Sequence, residues 1–255
     1  MIDLDKELIP PKELIKDGSS SIASYLETGR RYSEFFRESL PLRPDMHVLE
    51  IGSSVGRISR QFINILSDEG RFTGIEVMPE PTAWCNENIG ARFPWFTFIH
   101  ADIYNSEYRP QGSIKASEYR FPFDDGALDL VILTSVFTHM LRNDVAHYLN
   151  EIGRILKPGG LCFATFFSYT LKEFSGIYSE DANPRFLFPI YKKGGVPLCM
   201  CADSEDLEEA VAYEKGFIDA MYADNGLTLQ RYVPGGWVKR EVASDMHQDI
   251  FIACK

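Results

Sequence analysis

The sequence has no run approaching the roughly 18 consecutive apolar residues of a membrane-spanning helix. It also has no C-x-x-C pair, no internal repeat and no low-complexity tract. It is short of positive charge: 26 Lys and Arg stand against 37 Asp and Glu, a net charge of −11. A general grip on nucleic acid needs the opposite balance, because Lys and Arg must face phosphates. The stretch "MIDLDKELIPPKELIKDG" is charged throughout and has no apolar signal core. These absences predict a soluble, cytoplasmic protein with neither a membrane nor a nucleic acid as partner. The cysteines (Cys85, Cys162, Cys199, Cys201, Cys254) are odd in number. The C-x-C of Cys199 and Cys201 is weak as a metal signal, and reduced thiols are expected. His139 and His147 lie eight apart, which is not a metal-helix spacing, so no metal is expected.

What is present is enough apolar residue, 45% of 255, to pack one large domain. Residues 1–20 read as an N-terminal arm and 21–255 as the domain. "SIASYLETGRRYSEFFRESL" has apolar residues at helical spacing, and the prolines of "PLRP" stop it. An alternation follows. "HVLEI", "RFTGIEV", "WFTFIHA", "ALDLVILTS" and "LCFATFF" read as strands. "VGRISRQFINIL", "PEPTAWCNENIGARF" and "NDVAHYLNEIGRIL" read as helices, the last capped by Asn143 or Asp144 and ended by "KPGG". "LEEAVAYEKGFIDAMYADNGL" looks helical, and "LTLQRYV" with "DIFIACK" looks like a closing strand pair. This alternation predicts an α/β fold with a mostly parallel sheet and helices on both faces. Ligands of such sheets bind beyond the carboxyl ends of the strands. Two long segments interrupt the pattern: 104–123 is polar, and 168–205 is rich in aromatics and is expected to form a cap.

The stretch "HVLEIGSSVGRISR" puts an apolar strand before a small-residue turn. A P-loop needs a Lys after its second glycine, and none is here. A dinucleotide loop, G-x-G-x-x-G, anchored at Gly52 demands glycine at the positions of Ser54 and Arg57; only the acidic residue further on, Glu76, fits. An acidic residue, a spacer and G-x-G-x-G match through Glu50, Gly52 and Gly56, with Ser54 as the departure. Charge separates these last two. A pyrophosphate beside Glu50 would be repelled, whereas the ammonium and sulfonium of S-adenosylmethionine would be welcomed.

The chain therefore resembles the class I S-adenosylmethionine-dependent methyltransferases, over about residues 20–255. "VLEIGSSVG", "GIEVMPE", "HADIYN" and "FPFDDGALDLVILTSVFTHML" resemble successive motifs of that family, and "YLNEIGRILKPGG" resembles the helix and turn before its fifth strand. The resemblance implies a Rossmann-like fold with a seven-stranded sheet whose last strand is antiparallel, and S-adenosylmethionine as cofactor. It places cofactor contacts at Glu50, Gly52, Ser53, Ser54, Gly56, Glu76, Val77, Asp102, Ile103 and Thr134. Glu76 would take the ribose hydroxyls, Asp102 the adenine amino group, and Ile103 the ring face. The implied substrate is a small polar molecule of the sugar or secondary-metabolite kind.

Each assignment has a structural alternative. Glu50 could instead cap its loop, and Asp102 could be a turn residue. Asp124 and Asp125 read as turn residues. Tyr25, Gly29 and Arg30 read as helix packing. Trp237 and the aromatics of 166–191 fit either a substrate cavity or the core. His139, in "TSVFTHML", is placed to accept a proton from an acceptor hydroxyl or, alternatively, to bond the backbone and orient its loop. Glu76 is expected near solvent, so that its loss would spare stability. Serine at 54 does not take positive φ without strain, which implies a reshaped cofactor loop. An NAD-dependent oxidoreductase and a non-catalytic cofactor-binding protein of the same fold remain as alternatives.

Overall fold

The computed structural model describes residues 2–173, 186, 188–238, 240–241 and 243–255. The chain divides into two units, Met1–Asp102 with Leu128–Ile132, and Ile103–Ala127 with Leu133–Lys255.

In the first unit, α1 (Leu4–Glu7) and α2 (Ile22–Ser39) precede the sheet. Ser21 caps α2 by accepting from the Ser24 amide at 3.1 Å, and the helix runs unbroken to the proline-containing stop. Its strands are β1 (His47–Ile51), β2 (Arg71–Glu76), β3 (Phe96–His100) and β4 (Leu128–Leu133), in the order β3-β2-β1-β4. β1 runs parallel to β2, and β2 to β3, with Glu50 opposite Gly74 and Glu76 opposite His100. α3 (Pro79–Cys85) begins on a proline, whose missing N–H is an orphan at that position anyway. The arm lies on this unit. Ile2 exchanges two backbone bonds with the Asn64 side chain, each 3.2 Å; Arg57 pairs with Asp17 at 3.1 Å; and Leu8 is buried.

The helix expected over 55–66 is not an α-helix. Turns lead into a 3₁₀ helix, Ser59–Asn64. The apolar residues of the pattern, Val55, Ile58, Phe62 and Leu66, are buried as a helix face would be. So are Arg57, Ser59, Arg60 and Gln61, because the arm covers the side that solvent would otherwise hold: Arg57 bonds Asp17 and Arg60 bonds the Leu4 carbonyl. Contacts far along the chain override the local helical preference.

In the second unit, α4 (Arg142–Ile155) leads into β5 (Leu156–Tyr169). Val145, Leu149, Ile152 and Leu156 are fully buried. The expected cap does not form: Leu141 is the N-cap residue with no side-chain bond, and Asn143 and Asp144 fall inside the first turn. Residues 104–123 are ordered against α4. Glu151 accepts from the Phe121 amide at 3.0 Å, and Arg154 donates to the Phe121 and Phe123 carbonyls at 3.0 and 2.7 Å.

β5 divides its partners along its length. Residues 161–166 pair antiparallel with β10 (Asp249–Cys254), which also pairs with β9 (Thr228–Val233). Residues 167–169 pair in parallel with β8 (Val211–Glu214), which continues into β7 (Val196–Cys201) and β6 (Phe188–Lys193). The seven expected strands are thus β1–β5, β9 and β10, and β6–β8 are additional. They come from two segments in which no strand was expected. In 168–205, residues 188–201 form the β6–β7 hairpin; residues 174–185 and 187 lie outside the described residues. Its turn is Gly194-Gly195, with φ of 58° and 83°, values a two-residue hairpin turn requires. In 207–227, only Lys215–Asp224 is helix (α5). Val211, Ala212 and Tyr213 are all buried and pair on both sides as β8, and Glu214 then caps α5 through the Phe217 amide at 2.8 Å. Phe167, Tyr169, Phe186 and Met200 form a core cluster here, with Trp237 packed against it.

No helix among the described residues is long and apolar enough to cross a membrane, and no group of three or more His, Cys, Asp or Glu among them could hold a metal.

Candidate functional site

β1 ends in the first unit with Glu50 inside the sheet and the loop Gly52-Ser53-Ser54-Val55-Gly56 beyond it. The loop is clamped to β2. The Gly52 and Ser53 amides both donate to the Ile75 carbonyl, at 2.8 and 3.1 Å, and the Ser54 amide donates to Glu76 Oε2 at 2.7 Å. Glu76 Oε1 accepts from the Met78 amide at 2.9 Å. Glycine at 74 lets Ser53 approach β2: a Cβ there would stand 2.8 Å from Ser53 Oγ and 2.6 Å from Phe98 Cδ1.

Gly52, Ser54 and Gly56 all have left-handed backbones, with φ of 74°, 44° and 74°. These are the three glycine positions of G-x-G-x-G. Ser54 therefore keeps the loop's conformation, and the expected reshaping is not found; its bonded amide, on Glu76, holds it there. A side chain at 56 is excluded for a second reason, since a Cβ would meet Ile89 Cδ1 at 2.9 Å.

Glu50 is 1% exposed. Its Oε2 accepts from Ser59 Oγ at 2.5 Å. Among the described residues no Lys, Arg or His lies within ion-pair distance of Glu50 or Glu76. Burial pushes the Glu50 carboxyl up to about 8, against the lowering bond from Ser59. Glu76 is 4% exposed, not near solvent as expected. Burial raises it too, against the bonds from the Met78 and Ser54 backbone. The hydroxyls of Ser53 and Ser54 are buried and without partners. A buried polar atom without a partner costs about 1–3 kcal/mol, so this loop presents a buried carboxyl short of partners and unspent hydrogen-bonding groups. That donor set fits a ligand carrying a cation and hydroxyls, and Glu76, with two lone pairs on each oxygen, can accept further bonds. It does not fit a pyrophosphate.

Val77 follows β2, partly exposed, with its carbonyl 3.0 Å from His100 Nε2. Asp102, just past β3, is also partly exposed. Two residues that the sequence reading left out of the site support the loop. Tyr25, from α2, is buried and donates to the Val55 carbonyl at 3.0 Å. Ser59 is the partner of Glu50. Nothing local marks Ser59 or Tyr25. Gly29 is a packing residue, since a Cβ there would stand 2.8 Å from Gln61 Nε2. Arg30 forms an exposed pair with Glu27 at 2.6 Å.

Ile103, Thr134 and His139 belong to the second unit. Ile103 and Thr134 are buried. His139 ends a short 3₁₀ turn, Phe137–His139. Its Nδ1 faces the Glu208 carbonyl at 3.1 Å and Glu107 Oε2 at 3.3 Å, and the Tyr108 ring meets it edge-on with centroids 5.2 Å apart. Both neighbours of Nδ1 are acceptors, which favours a ring proton on Nδ1. Trp237 is held by Asp249, and Phe166, Phe167, Tyr169 and Phe186 are core.

Residues 49–164 match a family model described as a methyltransferase domain. Over these residues the chain is similar to that methyltransferase-domain family. A ubiquinone/menaquinone biosynthesis C-methyltransferase of Shewanella woodyi is 24% identical over 160 residues, which are 61% of this chain and 58% of that protein. The chain thus spans a little over half the length of this curated relative. A SAM-dependent methyltransferase from Aquifex aeolicus is similar in structure with a TM-score of 0.53 at 16% identity, over 98% of this chain and 95% of that one. Another, from Methanosarcina mazei, has a TM-score of 0.51 at 21% identity, over 84% and 94%. These likenesses agree on the Rossmann-like methyltransferase fold, with mostly parallel strands and a last antiparallel one. The buried carboxyls of Glu50 and Glu76 and the partnerless hydroxyls of Ser53 and Ser54 are the groups this loop leaves available to a ligand.

Proposed function

We propose that the protein transfers a methyl group from S-adenosylmethionine to a small polar molecule of the sugar or secondary-metabolite kind. Glu50 carries this reading: a buried carboxyl with no basic partner among the described residues, beside a loop with three left-handed residues, welcomes a cationic cofactor. The chemistry supplied by the bound cofactor is an electrophilic methyl carbon. Glu50 would face the cationic portion, the Ser53 and Ser54 hydroxyls would complete their bonds on it, and Glu76 would accept from the ribose hydroxyls. His139 Nε2 would take the proton of an acceptor hydroxyl, with Glu107 and the Glu208 carbonyl holding the ring's tautomer. Holding nucleophile and methyl close and aligned contributes about 7–11 kcal/mol in well-oriented reactions.

Calorimetry tests the cofactor: S-adenosylmethionine and S-adenosylhomocysteine should bind and NAD should not. Saturable NAD binding without adenosylhomocysteine binding would overturn the reading. Radiolabelled methyl transfer to a panel of sugars and hydroxylated rings tests the base. His139→Ala should lower turnover about 100-fold or more with cofactor affinity within a few-fold; near-normal turnover removes His139 from the mechanism. The likeness to a C-methyltransferase favours a second reading, transfer to ring carbon after the same deprotonation of a ring hydroxyl. NMR of the product separates O-methyl from C-methyl.

A further inference from the structure

Beyond β4 the chain turns at Ser135, whose φ of 60° is one of two left-handed backbones among the described non-glycine residues. Such strain persists only where surrounding bonds over-determine it, and it clusters at functional positions. Here the bonds form a chain. The Ser135 amide donates to Thr165 Oγ1 at 2.8 Å. The Thr165 hydroxyl donates to Gln248 Oε1 at 2.6 Å, and the Ser135 hydroxyl donates to the same oxygen at 3.0 Å. Thr165 is fully buried within β5, while Ser135 and Gln248 are half-buried. Gln248 precedes β10, whose first residue, Asp249, pairs with Phe166. The antiparallel return of β10 thus sets Gln248 toward the carboxyl end of β5, the end where parallel sheets take their ligands.

The carboxamide is therefore fixed through its oxygen alone. Its Nε2, with two N–H donors, has no partner among the described residues. Two hydroxyls and a strained turn are spent on aiming one neutral donor group. A neutral donor suits a neutral oxygen; a carboxylate would call for Arg or Lys.

Building on the methyl-transfer reading, we propose that Gln248 is a specificity-determining residue whose Nε2 donates hydrogen bonds to a hydroxyl or carbonyl oxygen of the methyl acceptor. Protein loaded with S-adenosylhomocysteine is titrated with methyl α-glucopyranoside and with phenol, following the Gln248 side-chain NH₂ signals by ¹H–¹⁵N NMR. At least one probe should shift them saturably. Gln248→Glu keeps the oxygen that Ser135 and Thr165 bond but replaces the donors, and Gln248→Met keeps the length with neither. Both should weaken that probe at least tenfold while adenosylhomocysteine affinity stays within threefold. Unmoved NH₂ signals with both probes, or unchanged probe binding in both variants, overturn the proposal. Loss of adenosylhomocysteine binding by the wild-type chain would instead strike the methyl-transfer reading itself.

Discussion

Two buried carboxyls, one in each unit, are treated in opposite ways. Asp249, fully buried at the start of β10, accepts from the Ser168 amide at 2.7 Å, the Ser168 hydroxyl at 2.8 Å, Trp237 Nε1 at 2.7 Å and the Gly235 amide at 2.7 Å. Arg240 adds an ion pair, and its Nε also meets Glu173 at 2.7 Å. Every lone pair is used, so the site is complete without a ligand. Glu50, equally buried, has Ser59 alone among the described residues. The contrast separates a carboxylate that holds the chain together from one kept for something the chain does not supply. A buried carboxyl with full pairing is structure; one left short of partners is a site.

Substitution should sharpen this contrast. Asp249→Ala leaves Arg240 and three N–H donors without their acceptor, so chemical denaturation should show a loss of about 3–5 kcal/mol, while the folded fraction keeps its adenosylhomocysteine affinity. A stable variant with lost cofactor binding would reverse the assignment of the two regions. Glu76 stands between the two cases, since it holds the Ser54 and Met78 amides and is also a ligand candidate. Glu76→Ala should lower stability by about 1–3 kcal/mol and weaken adenosylhomocysteine binding at least tenfold. Its burial overturns the expectation that stability is spared.

Glu50→Gln should do the reverse of Asp249→Ala, weakening the cofactor tenfold or more with little loss of stability. Burial raises Glu50 to about 8 from the ordinary 4.5. The folded chain therefore holds this proton more tightly than the unfolded one. The resulting stability is complete below about pH 4.5 and is lost as pH rises through about 8. Denaturation between pH 5 and 8 should show a shallower decline in Glu50→Gln than in wild type; identical profiles would show that Glu50 is ionised and paired. The smallest effect belongs to Ser54→Gly, which relieves a left-handed serine. It should stabilise by about 1 kcal/mol with affinity changed only a few-fold through the lost hydroxyl. A less stable glycine variant would mean that the serine hydroxyl, not the backbone, is what the loop needs.

The alternation of β1 to β5, the closing pair β9–β10 and the carboxyl-end positions of Glu50 and Glu76 were legible in the sequence. Apolar periodicity reports burial element by element, and a strand-end acid beside small residues is a local pattern. Gly52 and Gly56 were legible for the same reason: glycine takes positive φ without strain. The 3₁₀ helix at Ser59–Asn64 and the strand β8 were misread because their conformation answers to partners elsewhere. The arm covers the first through Arg57 and Arg60, and the end of β5 pairs with the second. Periodicity recorded that these residues are buried, but not by what.

The same division runs through the chemistry. Sequence alone determined that a carboxylate would stand where a phosphate would be repelled, which selected the class of cofactor. Only the tertiary structure decided that this carboxyl meets Ser59 and, among the described residues, no base, that Tyr25 holds the loop from 30 residues away, and that Ser135, Thr165 and Gln248 converge. Hydrogen bonds between residues far apart in the chain exist only once the backbone has closed the loops that separate them, and no local pattern encodes that closure.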